Sequence, residues 1–385
     1  MTNPKGAPET LPSAERIADP ALAALVERVR DAQARGTALA IAGHGSKAFY
    51  GNPTVGEPLD TTALTGISSY EPTELVVTAR AGTPLAELDA VLAERGQSLP
   101  FEPPQFHGSA RGRGTVGGMV AAGLAGPPRA CVGGVRDYVL GATLLNGRAE
   151  VLSFGGQVMK NVAGYDVSRM LAGSLGVLGV ILEVSLKVLP LQPATATLRF
   201  ELGEAAALRQ VNAWAGQPLP LNASAWWDGM LLLRLRGARA AVDAAIKRLG
   251  GERIDDALAD PFWLGLRDHT DEFFVRSRAA LESRPGTALW RLSLPQTAPP
   301  VHLPGGEQLI EWGGAQRWWC TAAPADTVRD MARRAGGHAT LFLGDPRGEG
   351  AFAPLSEPLA RIHRELKHEF DPAGVFNRGR LYPDL

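Results

Sequence analysis

Glycine is the residue whose placement most constrains the fold of this chain. There are 45 glycines in 385 residues, which is about 12 % against a usual share of about 7 %. They follow no collagen-like period and form no low-complexity linker, and 17 of them lie within residues 101–190. Because a residue without Cβ lets another group approach the backbone closely, this concentration predicts loops that hold a ligand through the main chain.

Three glycine clusters stand out. Residues 43–47 (GHGSK) follow a predicted strand, and Gly43 and Gly45 would let consecutive N–H groups converge on an anion, while Ser46 adds a hydroxyl donor. The other two clusters are residues 112–123 and 173–181. The first cluster matches neither a Walker loop nor a strong Rossmann fingerprint and could be an ordinary turn, while the second could be a tightly packed helix start. Together they indicate a ligand of considerable length, such as a dinucleotide.

The composition changes near residue 192. All eight tryptophans lie between Trp214 and Trp319, after the glycine-rich part. The first part predicts a helix at 21–35, a strand at 75–79, a helix after Thr83 and Pro84, a hairpin at 139–154 and an alternating strand at 180–189. The second part predicts strand, helix, hairpin and helix over 197–249, and a similar series over 287–343. This is α+β patterning, with an antiparallel sheet covered on one face by helices. The tryptophans favour core packing over a cofactor-stacking box.

Charge and cysteine content argue against several classes of function. With 39 basic and 40 acidic residues the net charge is −1, so there is no global electrostatic case for nucleic acid or an anionic membrane. Cys131 and Cys320 cannot form a disulfide framework, which predicts a reduced, cytoplasmic protein. The N-terminus lacks the apolar region of a signal peptide, and the apolar stretch 170–182 is shorter than the ~20 residues of a membrane span. Any membrane association would therefore be peripheral.

Several long motifs resemble a known family. The segments IAGHGSKAFYG, GTVGGMVAAGLAG, VMKNVAGYDVSRMLAGSLGVLG and LKHEFDPAGVFNRGRL resemble the FAD-binding domain of the vanillyl-alcohol-oxidase/PCMH superfamily, and more narrowly the FAD-binding subunits of bacterial glycolate oxidase (glycolate dehydrogenase). The likeness covers residues 37–190 and 366–381. It implies an α+β fold: a PCMH-type, two-subdomain FAD-binding domain at 1–192, an α+β (ferredoxin-like) cap domain at 193–350, and a C-terminal segment, 351–385, that packs back on the FAD domain.

The resemblance also implies which residues bind FAD. Residues 43–47 match the loop that binds the pyrophosphate, residues 114–123 match a stretch along the ribityl chain and flavin, and residues 176–181 match a segment on the pyrophosphate and adenine side. An asparagine near the C-terminus returns close to the flavin in relatives. The implied cofactor-binding residues are Gly43, His44, Gly45, Ser46, Lys47, Gly114, Thr115, Gly117, Gly118, Gly123, Gly176, Val180, Ile181 and Asn377.

Two departures from the family pattern modify these expectations. Some relatives bind FAD covalently through a histidine of the pyrophosphate loop, and that place falls on Gly45 here, which favours non-covalent FAD. Catalytic 2-hydroxyacid dehydrogenases of the superfamily carry a histidine-rich metal site and a carboxylate-binding arginine in the cap. In this chain His269, His302 and His338 stand alone. No metal is therefore predicted, and oxidation of substrate by this chain alone is disfavoured.

Oxidation of a 2-hydroxy acid by a flavin needs a cation for the carboxylate and a base for the hydroxyl proton. The candidate catalytic residues are Arg136, Lys160 and Tyr165. Lys160 would stabilise the reduced flavin electrostatically, and its alternative role is an ion pair with Asp166. Arg136 has a similar alternative, a structural ion pair with Asp137.

These expectations lead to one functional hypothesis and two alternatives. The resemblance implies a FAD-binding subunit of a glycolate (and D-lactate) dehydrogenase complex. It would work beside a larger FAD-binding catalytic subunit and an iron–sulfur subunit that pass electrons to an acceptor such as quinone. With two cysteines the chain lacks the ligands for a cluster of its own. The alternatives are a self-sufficient FAD-dependent 2-hydroxyacid oxidoreductase and a non-catalytic assembly subunit.

Overall fold

The computed structural model describes residues 19–106, 112–156, 166–303, 305–345 and 350–385. Lys160 and Tyr165 lie outside these ranges, so their catalytic roles stay predictions. The helices within the described residues are α1 Pro20–Arg35, α2 Leu85–Glu94, α3 Val116–Ala122, α4 Arg129–Val132, α5 Val135–Tyr138, α6 Val167–Met170, α7 Glu204–Ala215, α8 Arg239–Leu249, α9 Asp256–Asp268, α10 Glu272–Ser283, α11 Ala325–Arg334 and α12 Glu357–Phe370.

The strands within the same ranges form two large and two small sheets. They are β1 Leu39–Ala42, β2 Glu57–Asp60, β3 Ile67–Glu71, β4 Val76–Arg80, β5 Gln97–Ser98, β6 Val139–Leu145, β7 Val151–Gly155, β8 Val180–Lys187, β9 Leu189–Pro190, β10 Ala194–Glu201, β11 Leu221–Trp227, β12 Met230–Gly237, β13 Glu252–Ile254, β14 Ala288–Ser293, β15 Glu307–Glu311, β16 Gln316–Thr321 and β17 His338–Leu343.

Helix α1 packs against a small parallel sheet. Asp19 caps the helix by accepting backbone N–H groups of the first turn, and Gly36 ends it at φ +65°. Strands β1 and β2 pair in parallel, and Phe376, near the C-terminus, forms a bridge with Leu39 of β1. The shared core consists of Leu25, Val29, Leu39, Leu59, Leu64, Val180, Leu182, Val375 and Phe376 with their neighbours. The predicted helix at 21–35 is confirmed, and residues from both ends of the chain meet in one core.

The second layer is an antiparallel sheet whose order, among the described residues, is β3-β4-β8-β6-β7. The alternation in residues 180–189 predicts that the apolar residues of this strand share one face, and for β8 this prediction is wrong. The register against β6 shifts between Thr143 and Leu144, and such an irregularity turns the following side chains to the other face. Leu182 accordingly packs with the α1 core, whereas Val184 packs with α2 and α3. Strand β8 is therefore buried on both faces, between two cores.

The cap contains a larger antiparallel sheet, ordered β13-β10-β12-β11-β15-β16-β14-β17 within the described residues. Each half of this sheet has the strand order 4-1-3-2 of a ferredoxin-like unit, and the two halves join edge to edge through β11 and β15. The predicted α+β sheet and its internal repeat are confirmed. The tryptophans lie in this part, and the fully buried ones are Trp214, Trp263, Trp290, Trp312, Trp318 and Trp319.

Helices α9 and α10, which connect the two halves, are not predicted from the sequence. Pro261 and Gly265 lie inside α9, and these two residue types have the lowest helix propensities. Packing compensates, since Trp263 of α9 is buried and donates its indole N–H to Thr197 Oγ1 at 3.0 Å. Phe274 of α10 is also buried, against the same sheet. Tertiary contacts therefore stabilise helices that local propensity disfavours.

The C-terminal segment is attached to the first domain by a buried ion pair. Lys367 Nζ donates to Asp371 Oδ2 at 2.6 Å and to the carbonyl oxygens of Val177 and Phe376 at 2.8 Å each. Asp371 also accepts the backbone N–H groups of Val375 and Phe376. Each polar atom of the pair thus has partners, as a buried charge requires.

A second buried ion cluster joins the first domain to the cap. Glu102 accepts hydrogen bonds from Arg234 at 2.8 Å and from Arg236 at 2.7 Å. Burial alone would raise the pKa of Glu102, but the two guanidinium charges outweigh it and lower the pKa below its ordinary value. Trp312 adds an indole N–H bond to the carbonyl of Gly126 at 3.0 Å. The cap is thus fixed to the first domain by polar contacts at its base.

Candidate functional site

A groove lies where β1, α3 and β8 meet in the first domain. Two adjoining cavities of about 180 Å³ and 70 Å³ share walls that include Ile41, Gly43, Gly118, Leu175 and Asn377, and together they form the groove. The larger cavity is also lined by His44, Gly45, Ser46, Lys47, Gly114, Thr115 and Arg380. The smaller cavity is also lined by Thr61, Ala81, Gly117, Gly176, Gly179 and Ile181. The groove therefore collects residues from all three glycine clusters.

The loop at 43–47 presents its main chain to the groove. Gly45 has φ +73°, a conformation that favours glycine. The amide N–H groups of Gly43, Gly45, Ser46 and Lys47 donate to no acceptor among the described residues. Successive free N–H groups around a left-handed residue form an anion-binding concavity. This loop can therefore hold an anion such as a pyrophosphate.

The loop and the second glycine cluster fit together because glycine leaves room for opposing side chains. A Cβ on Gly43 would lie 2.5 Å from Thr115 Oγ1, and one on Gly114 would lie 3.1 Å from Ser46 Oγ. A Cβ on Gly112 would lie 3.0 Å from the His44 ring. The contact at Gly43 would force Thr115 to move, so packing of the groove wall requires this glycine. At Gly112 and Gly114 the contacts are tight, and the backbone angles φ +120° and +132° favour glycine as well.

Thr115 begins α3 and orders the groove floor. Its hydroxyl accepts the N–H of Gly118 at 3.2 Å, which caps the helix. Gly117 donates its N–H to the Ala81 carbonyl, and a Cβ there would lie 2.6 Å from the Ala81 Cβ. Gly118 lines both cavities, whereas Gly117 lines only the smaller one. Gly117 therefore packs the helix against Ala81 at the edge of the smaller cavity, and Gly118 leaves space for a ligand along both cavities.

Asn377 closes the groove from the C-terminal segment. Its Oδ1 accepts the N–H of Ile41 at 2.8 Å, and its Nδ2 donates to the carbonyl of Leu175 at 2.6 Å. A Cβ on Gly176 would lie 2.7 Å from that Nδ2. The amide is thus fully engaged with the backbone. Asn377 therefore lines the groove, and its side chain connects β1 to the third glycine cluster by hydrogen bonds.

Lys47 carries a buried charge beside the groove. Its Nζ has no accessible surface and no hydrogen-bond partner among the described residues. The nearest ring is that of Phe106, whose centroid lies 5.5 Å away. Burial lowers the pKa of Lys47 to about 8, against the opposing effect of the Asp268 carboxylate. An ammonium in this position needs an anion that the described residues do not supply.

Three predicted residues do not line the groove. Gly123 ends α3 at φ +64°, and a Cβ there would lie 2.8 Å from the Gly173 nitrogen, so packing explains this glycine. Val180 is fully buried in the α1 core. Arg136 is exposed on the short helix α5. Asp137 caps that helix by accepting the backbone N–H of Gly134, instead of forming a described ion pair with Arg136. The structure therefore does not bring Arg136 to the groove.

Several groove residues are missed by the sequence prediction. Arg380 follows Asn377 by three positions and donates to the carbonyl oxygens of Lys47 at 3.2 Å and Ala48 at 2.8 Å, which ties the C-terminal segment to the loop. Arg380 lies in residues 366–381, the C-terminal stretch that resembles the family, and this was the sequence signal that could have indicated it. Thr54 lies in a stretch without a motif. Small non-glycine residues also line the groove, and their sequence gives no signal: Ala40, Ala42, Ala48, Ala81, Ala121 and Ala122.

Two features are absent from the described residues, a metal-binding cluster and a membrane-spanning helix. No group of three or more His, Cys, Asp or Glu side chains in these ranges is arranged to hold a metal ion. Within the same part of the chain, no helix combines the length and the apolar character needed to cross a membrane.

Comparisons with known proteins identify the family. Residues 21–155 match the family model described as FAD binding domain. The chain is 49 % identical over 362 residues to glycolate oxidase subunit GlcE from Escherichia coli (strain K12), a match that covers 94 % of this chain and 97 % of that protein. The chain belongs to the GlcE family. This confirms the resemblance seen in the motifs, and with the matched domain it identifies FAD as the cofactor.

More distant relatives match over shorter stretches. D-2-hydroxyglutarate dehydrogenase from Xanthomonas citri pv. viticola is 29 % identical over 167 residues, which is 43 % of this chain and 32 % of that enzyme. A solved structure of alkyldihydroxyacetonephosphate synthase superposes with a TM-score of 0.61 at 16 % identity, covering 92 % of this chain and 73 % of that one. The predicted fold class, a PCMH-type FAD-binding domain with an α+β cap, is confirmed.

The residues present fit FAD on structural grounds. Gly43, Gly45 and Ser46 offer N–H groups without an acceptor among the described residues to the pyrophosphate, and Gly118 leaves the groove open beside α3. The Lys47 ammonium has no hydrogen-bond partner in the described ranges and calls for an anionic ligand. A dinucleotide that carries two phosphates and a long chain meets all three conditions.

Proposed function

We propose that the chain is the FAD-binding subunit of a glycolate (and D-lactate) dehydrogenase complex, which oxidises glycolate to glyoxylate. The observation that carries this proposal is the 49 % identity to glycolate oxidase subunit GlcE. That identity extends over 94 % of the chain, so it includes most of the first domain and most of the cap. D-lactate dehydrogenases and a glycolate oxidase subunit GlcD are among the partial relatives, which supports the 2-hydroxy acid class of substrate.

In this function the first domain holds and orients FAD. FAD bound here would supply a second flavin that takes up electrons, while the larger subunit oxidises the 2-hydroxy acid. The N–H groups of Gly43, Gly45 and Ser46 would hold the pyrophosphate, and Gly118 would leave room for the chain that leads to the flavin. Gly176 and Ile181, which line the smaller cavity, would face the adenine side. Binding through backbone amides and close contacts also agrees with non-covalent FAD, because Gly45 stands where a linking histidine would be needed.

In the alternative of a self-sufficient oxidoreductase, the substrate chemistry needs a cation and a base in addition. We keep Lys160 and Tyr165 as the residues proposed for this chemistry, from the motif that resembles the family. The exposed position of Arg136 does not support the role predicted for it. The cap approaches the larger cavity at Lys47, whose Nζ lies 5.5 Å from the Phe106 centroid, and Phe106 contacts His269 of the cap at a centroid distance of 4.8 Å.

The partners follow from the name of the relative, a subunit of glycolate oxidase. We propose that the chain works beside a larger FAD-binding catalytic subunit and an iron–sulfur subunit, and that electrons pass through them to an acceptor such as quinone. The chain has two cysteines, Cys131 and Cys320, too few for a cluster of its own. The complex is proposed to act in the cytoplasm, peripherally at the inner face of the membrane.

Flavin analysis of the purified full-length chain tests the cofactor. We expect a flavin spectrum, and we expect acid precipitation to release the flavin as FAD. Flavin that stays with the precipitate would instead show covalent attachment. A colourless protein that cannot be reconstituted with FAD would overturn the proposal.

A matched pair of glycine variants locates the site. Gly118→Leu places a side chain in the groove, so FAD content should fall at least tenfold while the far-ultraviolet circular dichroism spectrum is unchanged. Gly203→Leu is the control, because no atom lies within 4 Å of a Cβ built there and the residue belongs to the cap. Equal FAD content in the two variants would contradict the assignment of the groove.

Anaerobic mixing with glycolate or D-lactate assigns the chemistry. The flavin of the isolated chain should stay oxidised, and it should become reduced when the larger flavin subunit and the iron–sulfur subunit are present. Bleaching of the flavin in the isolated chain would favour a self-sufficient oxidoreductase and contradict the proposed division of labour.

A further inference from the structure

The most unusual charge in the described structure is the ammonium of Lys47. Its Nζ is fully buried and makes no hydrogen bond to a described residue. The Asp268 carboxylate, which acts on it electrostatically, is already bound by Arg267 at 2.7 Å and by the N–H of Gln105 at 2.9 Å. An ammonium removed from water without a counter-ion is strongly unfavourable. Its presence indicates that a bound ligand brings the missing negative charge.

The position of this ammonium indicates which part of a ligand it meets. Lys47 lines the larger cavity only. Its Nζ lies 3.3 Å from the place of a Cβ on Gly114 and 5.5 Å from the Phe106 centroid. Phe106 in turn contacts His269 and Phe342 of the cap. The charge is therefore at the end of the groove that the cap covers, away from the cavity lined by Thr61 and Ile181.

The main chain of the same loop provides for the pyrophosphate separately. The N–H groups of Gly43, Gly45 and Ser46 are free of described acceptors, and such a concavity holds a phosphate without a side-chain cation. The Lys47 side chain instead reaches Phe106 beneath the cap. Sites where a ligand reacts occur preferentially at such domain interfaces. The ammonium is thus available to the reacting end of the ligand.

We propose that Lys47 is the cation that stabilises the reduced flavin ring, and that it thereby raises the reduction potential of the FAD bound to this chain. This inference rests on the proposed function. When the ring of the bound FAD takes up two electrons and one proton from the larger flavin subunit, it gains one negative charge. A fixed cation buried beside the groove favours that charged product. The lowered pKa of Lys47 agrees, since a site that awaits an anion disfavours the ammonium in the empty chain.

The role proposed for Lys47 differs from the one that the resemblance implies for its loop. The resemblance implies that residues 43–47 bind the pyrophosphate and places the flavin-stabilising charge on Lys160. The described structure supports the first part for the main chain of the loop, and assigns the flavin charge to the Lys47 side chain. A substrate carboxylate is also an anion and could pair with the Lys47 ammonium in the same way. The experiment must therefore distinguish a cation that stabilises the reduced flavin from one that binds the substrate carboxylate.

The test compares Lys47→Met, Lys47→Arg and the control Lys247→Met in the full-length, FAD-loaded chain. Met keeps the length of the side chain and removes the charge, and Lys247 is an exposed lysine of α8 in the cap. Three quantities are measured: the dissociation constant of FAD, the two-electron midpoint potential against a reference dye, and the change of the flavin spectrum on adding oxalate, a carboxylate probe.

We expect Lys47→Met to shift the reduction equilibrium at least tenfold toward oxidised flavin, which is about 30 mV for a two-electron couple. FAD affinity should change less than threefold, and Lys47→Arg and Lys247→Met should keep the wild-type potential. An unchanged potential in Lys47→Met overturns the inference. If FAD affinity alone falls, or if the variant no longer retains FAD while Lys47→Arg does, the ammonium serves the pyrophosphate. If only the oxalate response is lost, it serves the substrate. A wild-type chain that binds no FAD would refute the proposed function itself.

Discussion

Replacing Lys367 by Met tests whether a buried ion pair holds the C-terminal segment on the first domain. Lys367 Nζ lies 2.6 Å from Asp371 Oδ2, with the two side chains only 10 % and 0 % exposed. The same Nζ donates to the carbonyl oxygens of Val177 and Phe376. Methionine keeps the length of the side chain but removes the charge and three hydrogen bonds, so the Asp371 carboxylate loses its counter-ion.

The magnitude follows from what remains around Asp371. Breaking a buried pair by removing one partner costs about 3–5 kcal/mol, because the other charge is left uncompensated. Asp371 keeps the backbone N–H groups of Val375 and Phe376, which favours the lower end, about 3 kcal/mol. We expect urea denaturation to show this loss of unfolding free energy. FAD affinity should fall as well, because Asn377 on the same segment forms part of the groove.

A control on the same helix makes the result decisive. Arg364 of α12 pairs with Glu357 at 2.7 Å and with Asp384 at 3.2 Å, but all three side chains are more than 40 % exposed. Exposed pairs contribute about 0–1 kcal/mol, so Arg364→Met should have little effect on stability or FAD binding. A loss in Lys367→Met as small as that in Arg364→Met would refute the reasoning.

Two further predictions concern buried carboxylates. Burial raises the pKa of Glu311 from 4.5 to about 7, so between these two pKa values Glu311 stays protonated in the folded chain but is ionised in the unfolded chain. The free energy of unfolding therefore falls as the pH rises from 4.5 to about 7. Glu311→Gln should remove that loss, and its stability relative to the wild type should grow by about 3 kcal/mol between pH 4.5 and 7. A pH-independent difference in denaturation midpoint would contradict this. Glu102→Ala should cost about 3–5 kcal/mol, because Arg234 is left unpaired at 4 % exposure. Glu252→Ala, which breaks an exposed pair, should cost under about 1 kcal/mol in the same assay.

The elements that the sequence predicts well are those whose signals are local. Helix α1 has a capping Asp19 and a terminal Gly36, and both act within a few residues of the helix. Helix α9 lacks such a signal, because Pro261 and Gly265 disfavour a helix that only tertiary packing stabilises. The faces of β8 were mispredicted for a related reason. Its alternation is regular in sequence, and the register shift near Thr143 belongs to the pairing with another strand.

In the candidate site, too, local sequence features are predicted and features that depend on tertiary contacts are not. The glycine clusters predict that the backbone is approached closely, and the groove bears this out at Gly43, Gly114 and Gly118. The sequence cannot tell a glycine that faces a ligand from one that packs another segment. Gly118 lines the groove, whereas Gly123 of the same cluster packs against Gly173. The burial of Lys47 is equally invisible, since it depends on Phe106 and on a cap some 200 residues away in sequence.

The groove also depends on a segment that no single motif describes. Asn377 joins β1 to the third glycine cluster through Ile41 and Leu175, and Arg380 binds the carbonyl oxygens of the first loop. Both residues can do this only when Lys367 and Asp371 hold the segment on the first domain. A ligand that binds the groove must therefore stabilise the docked segment, by the linkage between binding and folding. It follows that FAD should protect the 366–381 region from hydrogen exchange in the wild type, and that this protection should be weaker in Lys367→Met than in Arg364→Met at the same FAD concentration.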